Sequence, residues 1–478
     1  MSLYLVRYSE IGLKRRYTRS NMESKLITSI KAALPPGSVT DIRKTRGRIF
    51  LETSADESTV RRNLSTVFGI KSFSPVYKFD FSSLADLLEK AYPLTKSIVV
   101  GKKFAVRCRR VGNHSFSSID VERQLGELLV SSSDGVSLKS PDVEINIEIR
   151  NKTAYLYTYV ILGPGGLPTS SQGSMVCLMS GGIDSPVASW MMMKRGVLVN
   201  FLFCSLAHPI DTVYFLNAAV KLTRGWLHGY TAKIHILDCR KFVEYAILDG
   251  KDNAGTVLFK LLLYKLAEKI SSKFGYKGII TGESLGQVSS QTPDNLMSLS
   301  HFVDMPIYRP LIGFDKDEIT DLARKIGTYP EKNTGEFCAL FAEHARTEVP
   351  IEELEKNGIP EEIVDMILTN MMTFSSDTVD GFLKSLRKDE MEVKEIPENS
   401  LIVDLRDRKE YQRWHYKGAV NLRLWQLERL KKNVEHYSSI VFYCKEGLQS
   451  AYASSLFADS GTKVYYSSER DMKRLANQ

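Results

Sequence analysis

The sequence predicts an α/β multidomain chain, with small α+β units at the front, a parallel-sheet domain in the middle and a smaller α/β domain at the end. Three observations carry that prediction. An apolar run, Met175-Val176-Cys177-Leu178-Met179, passes through Ser180-Gly181-Gly182-Ile183-Asp184-Ser185 into a helix-like stretch from Pro186 to Met192. Strand, glycine loop and helix in that order make one α/β unit. Beyond it, strand and helix patterns alternate as far as residue 326. The chain of 478 residues is also too long for one core. Two stretches divide it: the Gly/Pro/Ser-rich residues 163–173, and the highly charged residues 387–400 that end before Leu401-Ile402-Val403.

In the first block, Leu3 to Tyr8 alternates like a strand, Arg19 to Leu34 has helical periodicity and Arg48 to Leu51 returns to strand. After Leu64 to Val76 come the strand Phe104 to Arg110, a helix from Ile119 to about Val130 and the strand Glu144 to Ile149. Lys and Arg outnumber Asp and Glu by 26 to 16 in residues 1–170, against 38 to 40 in the remainder. A basic front predicts nucleic-acid binding there, because phosphate neutralisation is the main sequence-independent source of affinity. Arg107, Arg109, Arg110 and Lys139 are the candidate contacts, although each alone fits a solvated face equally well.

In the middle block, strands at Val197–Phe203, Ile234–Leu237 and Gly278–Ile280 alternate with helices at Val213–Leu227, Val257–Phe274 and Lys316–Ile326. Such alternation implies a mostly parallel sheet covered on both faces. Ligands then sit beyond the carboxyl ends of the strands, where the loop from Ser180 to Ser185 and Thr281-Gly282-Glu283-Ser284 would both lie. Adjacent glycines expose backbone N–H groups and the following helix adds the positive end of its dipole, so this loop suits a phosphate or pyrophosphate. It lacks the Gly-Lys-Ser/Thr ending of a Walker loop.

In the last block, Val403-Asp404-Leu405-Arg406 opens a segment reaching His415-Tyr416-Lys417-Gly418-Ala419-Val420-Asn421. A later strand, Ser439 to Tyr443, delivers Cys444 onto Lys445-Glu446-Gly447-Leu448-Gln449-Ser450 before a helix from Ala451. A cysteine at a strand end, before a helix N-terminus and beside a lysine, is expected to have a stabilised, reactive thiolate.

Composition excludes other classes. With 43% apolar and 25% charged residues the chain is not largely disordered, and no apolar run is long enough to span a bilayer. The opening residues have no secretory pattern and read as the first strand of a cytoplasmic protein. Six cysteines, at 108, 177, 204, 239, 338 and 444, show no CxxC and no metal-ligand spacing. No zinc or iron–sulfur cluster is expected, nor a disulfide scaffold, which leaves individual cysteines for packing or sulfur chemistry.

These segments resemble known modules. The loop Ser180–Ser185 resembles the PP-loop of ATP pyrophosphatases, which split ATP to AMP and pyrophosphate to activate an oxygen. The segments from Phe104 to Ile149 resemble a THUMP RNA-binding domain, and Tyr8-Ser9-Glu10-Ile11-Gly12-Leu13-Lys14 resembles the ferredoxin-like unit that often precedes it. The tail resembles a rhodanese domain, whose cysteine carries a persulfide. Together they resemble the tRNA 4-thiouridine synthetase family over essentially the whole chain. The most specific matches are Thr281-Gly282-Glu283-Ser284-Leu285-Gly286-Gln287-Val288-Ser289-Ser290-Gln291-Thr292 and Arg309-Pro310-Leu311-Ile312-Gly313-Phe314-Asp315-Lys316.

The resemblance implies a ferredoxin-like domain at residues 1–60, a THUMP domain at 61–165, a PP-loop domain at 172–386 and a rhodanese-like domain at 398–478. It implies ATP contacts at Leu178, Met179, Ser180, Gly181, Gly182, Asp184, Ser185, Phe203, Cys204, Lys260, Gly282 and Gln291. Without the resemblance Lys260 reads equally as a helix surface charge. Asp184 and Lys316 match positions needed for activity. Lys316 or Lys260 can neutralise charge on leaving pyrophosphate, and Asp184 can orient Mg2+ or the nucleotide. The implied reaction adenylates the C4 oxygen of a tRNA uridine, typically uridine 8, and sulfur displaces AMP. A cysteine desulfurase would load persulfide onto Cys444. Cys338 matches the second cysteine, which closes a disulfide with Cys444 that a thiol reductant reopens. The charged residues 387–400 would be the hinge that lets the two approach.

Two departures stand out. Gln449 replaces the usual rhodanese-loop arginine, which argues against thiosulfate as the main donor, and Cys338 lacks the expected preceding proline. The implied partners are tRNA, the desulfurase and a reductant, with no membrane; homodimerisation stays open. The alternatives are a persulfide carrier for thiamine thiazole synthesis and another PP-loop tRNA thiolase.

Overall fold

The computed structural model describes residues 1–45, 47–207, 210–248, 254–330, 346–386, 391–430, 434–445, 447–458 and 460–477. They divide into two compact units, one of residues 1–171 with 194–196, the other of residues 172–193 with 197–478.

The first unit holds two sheets. The strand Ser2–Arg7 lies between Arg48–Thr53 and Ser72–Pro75, flanked in turn by Val39–Thr45 and Ile161–Leu162. The helix Arg16–Ala33 covers this sheet with Met22, Leu26 and Ile30, which recur at helical spacing and are buried against Val6, Ile49 and Leu51. This first sheet therefore takes strands from beyond residue 60. The second sheet runs Tyr77–Asp80, Thr153–Tyr157, Val143–Arg150 and Phe104–Val111, its last two strands pairing in parallel. Helices Leu84–Lys96 and Ser118–Val130 close its core with Leu87, Ala91, Val121 and Leu125. The second helix starts on a capping box, Ser117 accepting from the Asp120 amide while the Asp120 carboxylate accepts from the Ser117 amide. Arg48 and Arg150 clasp the buried Glu148 at 3.1 and 2.8 Å, and the Arg48 contact joins the two sheets.

The second unit is built on a six-stranded sheet in the order Ile307–Tyr308, Ile279–Ile280, Ser174–Leu178, Leu198–Ser205, Lys233–Asp238, Met372–Ser375. Five strands are parallel, as the alternation predicts, and Met372–Ser375 adds an antiparallel edge. Leaving Ser174–Leu178 the chain builds outward to one side, then returns with Ile279–Ile280 on the other. The crevice where strand order reverses lies between those two strands, the place where α/β sheets bind ligands. The helix Gly255–Phe274 buries Val257, Leu258, Leu261, Leu262 and Leu266, each worth about 1.5–3 kcal/mol in transfer free energy. A separate four-stranded parallel sheet, Val420–Asn421, Ser400–Asp404, Ser439–Cys444 and Lys463–Ser468, carries the tail, with Cys444 at the carboxyl end of its strand.

Candidate active site

Ser180–Ser185 lies at the reversal of strand order, between the strand Ser174–Leu178 and the helix Asp184–Lys194. Internal bonds hold its shape: the Ser180 amide donates to Ser185 Oγ at 2.9 Å, and the Gly182 amide to Ser180 Oγ at 3.2 Å. Close approach explains two glycines. A Cβ on Gly181 would sit 2.7 Å from Tyr214 Cβ, and one on Gly282 would sit 2.7 Å from the Ser185 backbone nitrogen. Gly282 thus lets the loop after Ile279–Ile280 pack directly on the PP-loop backbone, which brings Glu283 and Gln291 to the same crevice.

Two lysines point into this region, each tethered to a buried carboxylate. Lys316, the first residue of the helix Lys316–Ile326, donates from Nζ to Asp184 Oδ1 at 2.7 Å, and Gln287 Nε2 donates to Asp184 Oδ2 at 2.8 Å. An Asp315 capping box with Glu318 fixes that helix start. Lys260 donates to Glu283 Oε1 at 2.9 Å, and Arg309 Nε to Glu283 Oε2 at 2.8 Å. The Tyr264 hydroxyl reaches both Glu283 oxygens at 2.9 and 2.8 Å, and Thr281 Oγ1 reaches Oε2 at 2.9 Å. Lys260 and Tyr264 share a helix face at i and i+4. Burial by itself raises the Glu283 carboxyl, but the charges of Lys260 and Arg309 with these hydrogen bonds outweigh it and hold the pKa at about 2. Burial and the Glu283 charge push the Tyr264 hydroxyl well up. Gln287, Glu283, Arg309 and Tyr264 were not singled out by sequence reasoning as site residues. Three of them stand inside the two specific stretches, which was the available signal.

All twelve residues that the resemblance assigned to ATP line one cavity of about 160 Å³, from Leu178 and the PP-loop to Phe203, Cys204, Lys260, Gly282 and Gln291. Phe203 stacks on Phe215 with ring centroids 4.5 Å apart. One correction concerns the cysteines: Cys204 is not single but bonded to Cys239, with Cα atoms 5.6 Å apart. The parallel register sets Cys204 opposite Leu237, so Cys239 lies only two residues further along, a relation invisible in a linear spacing of 35. Among the described residues no group of three or more His, Cys, Asp or Glu is placed to hold a metal ion.

Cys444 needs a second correction. Its thiol is buried and burial pushes its pKa up, against hydrogen bonds from Ser450 and the backbone amides of Gly447 and Gln449 that pull it down. These amides and the Ser450 hydroxyl favour the thiolate, but the apolar sheet around the sulfur, with Leu401, Val403 and Phe442, dominates. Ser450 Oγ lies 3.6 Å from the sulfur. The helix Leu448–Leu456 that follows buries Ala451 and Tyr452 in the core of the central domain, and Ser455 O accepts from Arg240 Nη1 at 3.3 Å. Cys338 lies outside the described residues.

The structure divides the four candidate RNA contacts, all on or beside the edge strand Phe104–Val111. Val106 and Cys108 face the core, and Arg110 shares their side, its Nη1 3.1 Å from His114 Nδ1. Arg107 and Arg109 face the other way. Arg107 is tied back to Leu138 O at 2.6 Å and to Glu144 at 3.4 Å, whereas Arg109 and Lys139 are exposed.

Comparisons with known proteins agree with this anatomy. Residues 170–363 match the family described as "Thiamine biosynthesis protein (ThiI)", residues 3–74 the "ThiI ferredoxin-like domain", residues 81–159 the THUMP domain and residues 388–469 the rhodanese-like domain. A tRNA sulfurtransferase of Thermoplasma volcanium is 43% identical over 467 residues, covering 98% of this chain and 96% of that protein. One from Thermoplasma acidophilum is 41% identical over 480 residues, covering 100% and 97%. Among solved structures, a 4-thiouridine synthetase in complex with RNA and ATP aligns with a TM-score of 0.67 at 27% identity, covering 78% of this chain and 99% of that one.

Proposed function

The chain belongs to the tRNA sulfurtransferase family, and from that premise we propose how its own residues carry out ATP-dependent thiolation of tRNA. The protein is a tRNA sulfurtransferase that uses ATP. The observation that carries the mechanism is the convergence of the PP-loop, Asp184 and Lys260 on one cavity at the reversal of strand order, with Lys316 paired to Asp184 beside it.

ATP lies along the PP-loop with its phosphates on the loop amides and the start of the helix Asp184–Lys194. The uridine C4 oxygen, typically that of uridine 8, attacks the α-phosphorus and pyrophosphate leaves. Lys316 and Lys260 offset the charge that grows on the leaving group. Mg2+ fits this site through Asp184, because Glu283 is already saturated by four donors. A single carboxylate plus nucleotide phosphates is the usual magnesium environment, and the ion neutralises phosphate charge when bound. Sulfur enters from a Cys444 persulfide loaded by a cysteine desulfurase. Its outer sulfur bonds to C4 and AMP leaves; the Cys338 thiolate then attacks the Cys444 sulfur, releasing 4-thiouridine and leaving a Cys338–Cys444 disulfide for a thiol reductant to open. The loop without an arginine at 449 favours a protein-bound persulfide over thiosulfate. The first unit binds the tRNA, and the reaction takes place in the cytoplasm. No helix among the described residues is long and apolar enough to cross a membrane.

The test is reconstitution. Purified protein with ATP, Mg2+ and a desulfurase donor should thiolate an unmodified tRNA transcript and release AMP and pyrophosphate. ADP and phosphate as products would rule the adenylation out. Cys444→Ala should lose turnover with the desulfurase and recover it only with free sulfide. After one turnover without reductant, peptide mapping should find the Cys338–Cys444 disulfide and lose it in Cys338→Ala. A second reading, supply of persulfide to thiazole synthesis, is favoured by the family description of residues 170–363, and a thiamine requirement in a deletion strain would test it.

A further inference from the structure

The two lysines tethered to buried carboxylates are not equivalent. If Lys316 leaves Asp184, the neutral Gln287 amide is the side-chain partner that carboxylate keeps among the described residues. If Lys260 leaves Glu283, the carboxylate keeps the Arg309 guanidinium, the Tyr264 hydroxyl and the Thr281 hydroxyl. Arg309 is itself pinned, with Nη2 donating to Ser300 Oγ at 2.9 Å and approaching the Tyr264 hydroxyl at 3.2 Å. Lys260 lines the cavity, whereas Arg309 does not. Glu283 is 4% exposed, and a buried carboxylate left without a counter-ion is strongly destabilising, so Lys260 can move only if another cation stays behind. A planar guanidinium in a fixed fork suits the staying role, and a flexible ammonium the moving one.

We propose that Arg309 is the fixed counter-ion of Glu283 and Lys260 the exchangeable one, so that Arg309 and Glu283 are positioning residues that release Lys260 to a phosphate of the bound nucleotide. This rests on the reading of the cavity as an ATP site. Without Arg309, Lys260 becomes the sole counter-ion among the described residues and Glu283 retains it. Removing the carboxylate as well frees it again.

ATP affinity of the full-length chain, measured by titration calorimetry beside a thermal melt, tests the idea. Arg309→Gln should bind ATP about tenfold more weakly, equivalent to about 1.4 kcal/mol, although residue 309 does not line the cavity. Adding Glu283→Gln to it should restore affinity to within about threefold of wild type, which a loss from general unfolding would not do. Glu283→Gln alone should bind at least as tightly as wild type, and this arm decides if the melt shows Arg309→Gln unfolded. Wild-type affinity in Arg309→Gln, no recovery in the double variant, or weakened binding by Glu283→Gln would each overturn the proposal. A wild-type chain that binds no ATP would overturn the ATP reading and this inference together, whereas wild-type binding with unresponsive variants overturns this inference alone.

Discussion

Lys316 Nζ stands 2.7 Å from Asp184 Oδ1 across 132 positions of sequence, and this ion pair joins the PP-loop to the start of a helix laid down by a distant segment. Asp184 is buried while the Lys316 side chain is half exposed. The lysine is therefore the solvent-accessible member of the pair and the one that a ligand can recruit.

Replacing Asp184 with Ala should lower the rate of thiolation by about 10²–10³-fold, the usual cost of removing one electrostatic group that acts in the transition state. It should leave tRNA affinity within about twofold, because the proposed tRNA contacts are basic residues of the first unit. Filter binding and single-turnover thiolation on the same preparation check both. Parallel loss of tRNA binding would contradict the separation.

Acid should expose the Glu283 cluster. The folded carboxyl titrates at about 2, below its ordinary 4.5, so folding gains stability from its ionised form above the ordinary value. That stability is lost as pH falls from about 4.5 toward 2. Urea midpoints measured across this window should show a component absent from Glu283→Gln. If the two proteins lose stability in parallel over the window, another group is responsible.

Arg109 and Arg110 are neighbours with opposite destinies, since alternate residues of a strand face opposite sides. Exposed Arg109 changed to Ala should weaken tRNA binding and reduce the salt slope of log affinity by about one. Arg110→Ala, on the core face beside His114, should chiefly lower the melting temperature. A larger affinity loss for Arg110 than for Arg109 would invert the assignment.

The Cys204–Cys239 bridge closes a loop across a sequence separation of 35, which the chain-entropy relation values at about 3–4 kcal/mol. Cys239→Ser should therefore melt well below wild type when both are prepared without reductant. With a strong reductant the two curves should converge. Intact mass with and without alkylation reports the bridge directly, and two freely alkylated thiols in the native protein would contradict it.

Periodicity and turn chemistry made most of the middle block legible. Lys316–Ile326 is the helix that the sequence predicts, because its Asp315 cap and Gly327 end act locally. The order strand, glycine loop, helix placed Ser180–Ser185 for the same reason. Helix Leu84–Lys96 escaped notice because Pro93 interrupts its pattern, and its apolar face shows only once Leu87 and Ala91 meet a sheet. The edge strand Met372–Ser375 is short and half exposed, with little alternation to read.

The sequence by itself determined the modules and the glycine loop, since each depends on local propensity or on a contiguous motif, while the further residues at the cavity were pointed to only by the family resemblance. Only tertiary structure decided which charges pair. Glu283 meets Lys260, Tyr264 and Arg309 from separate elements. Cys204 meets Cys239 through sheet register. Cys444 is buried deeply enough to oppose the acidity its neighbours in sequence would give it. Burial and ion pairing depend on which surfaces long-range packing removes from water, and residue order does not state that.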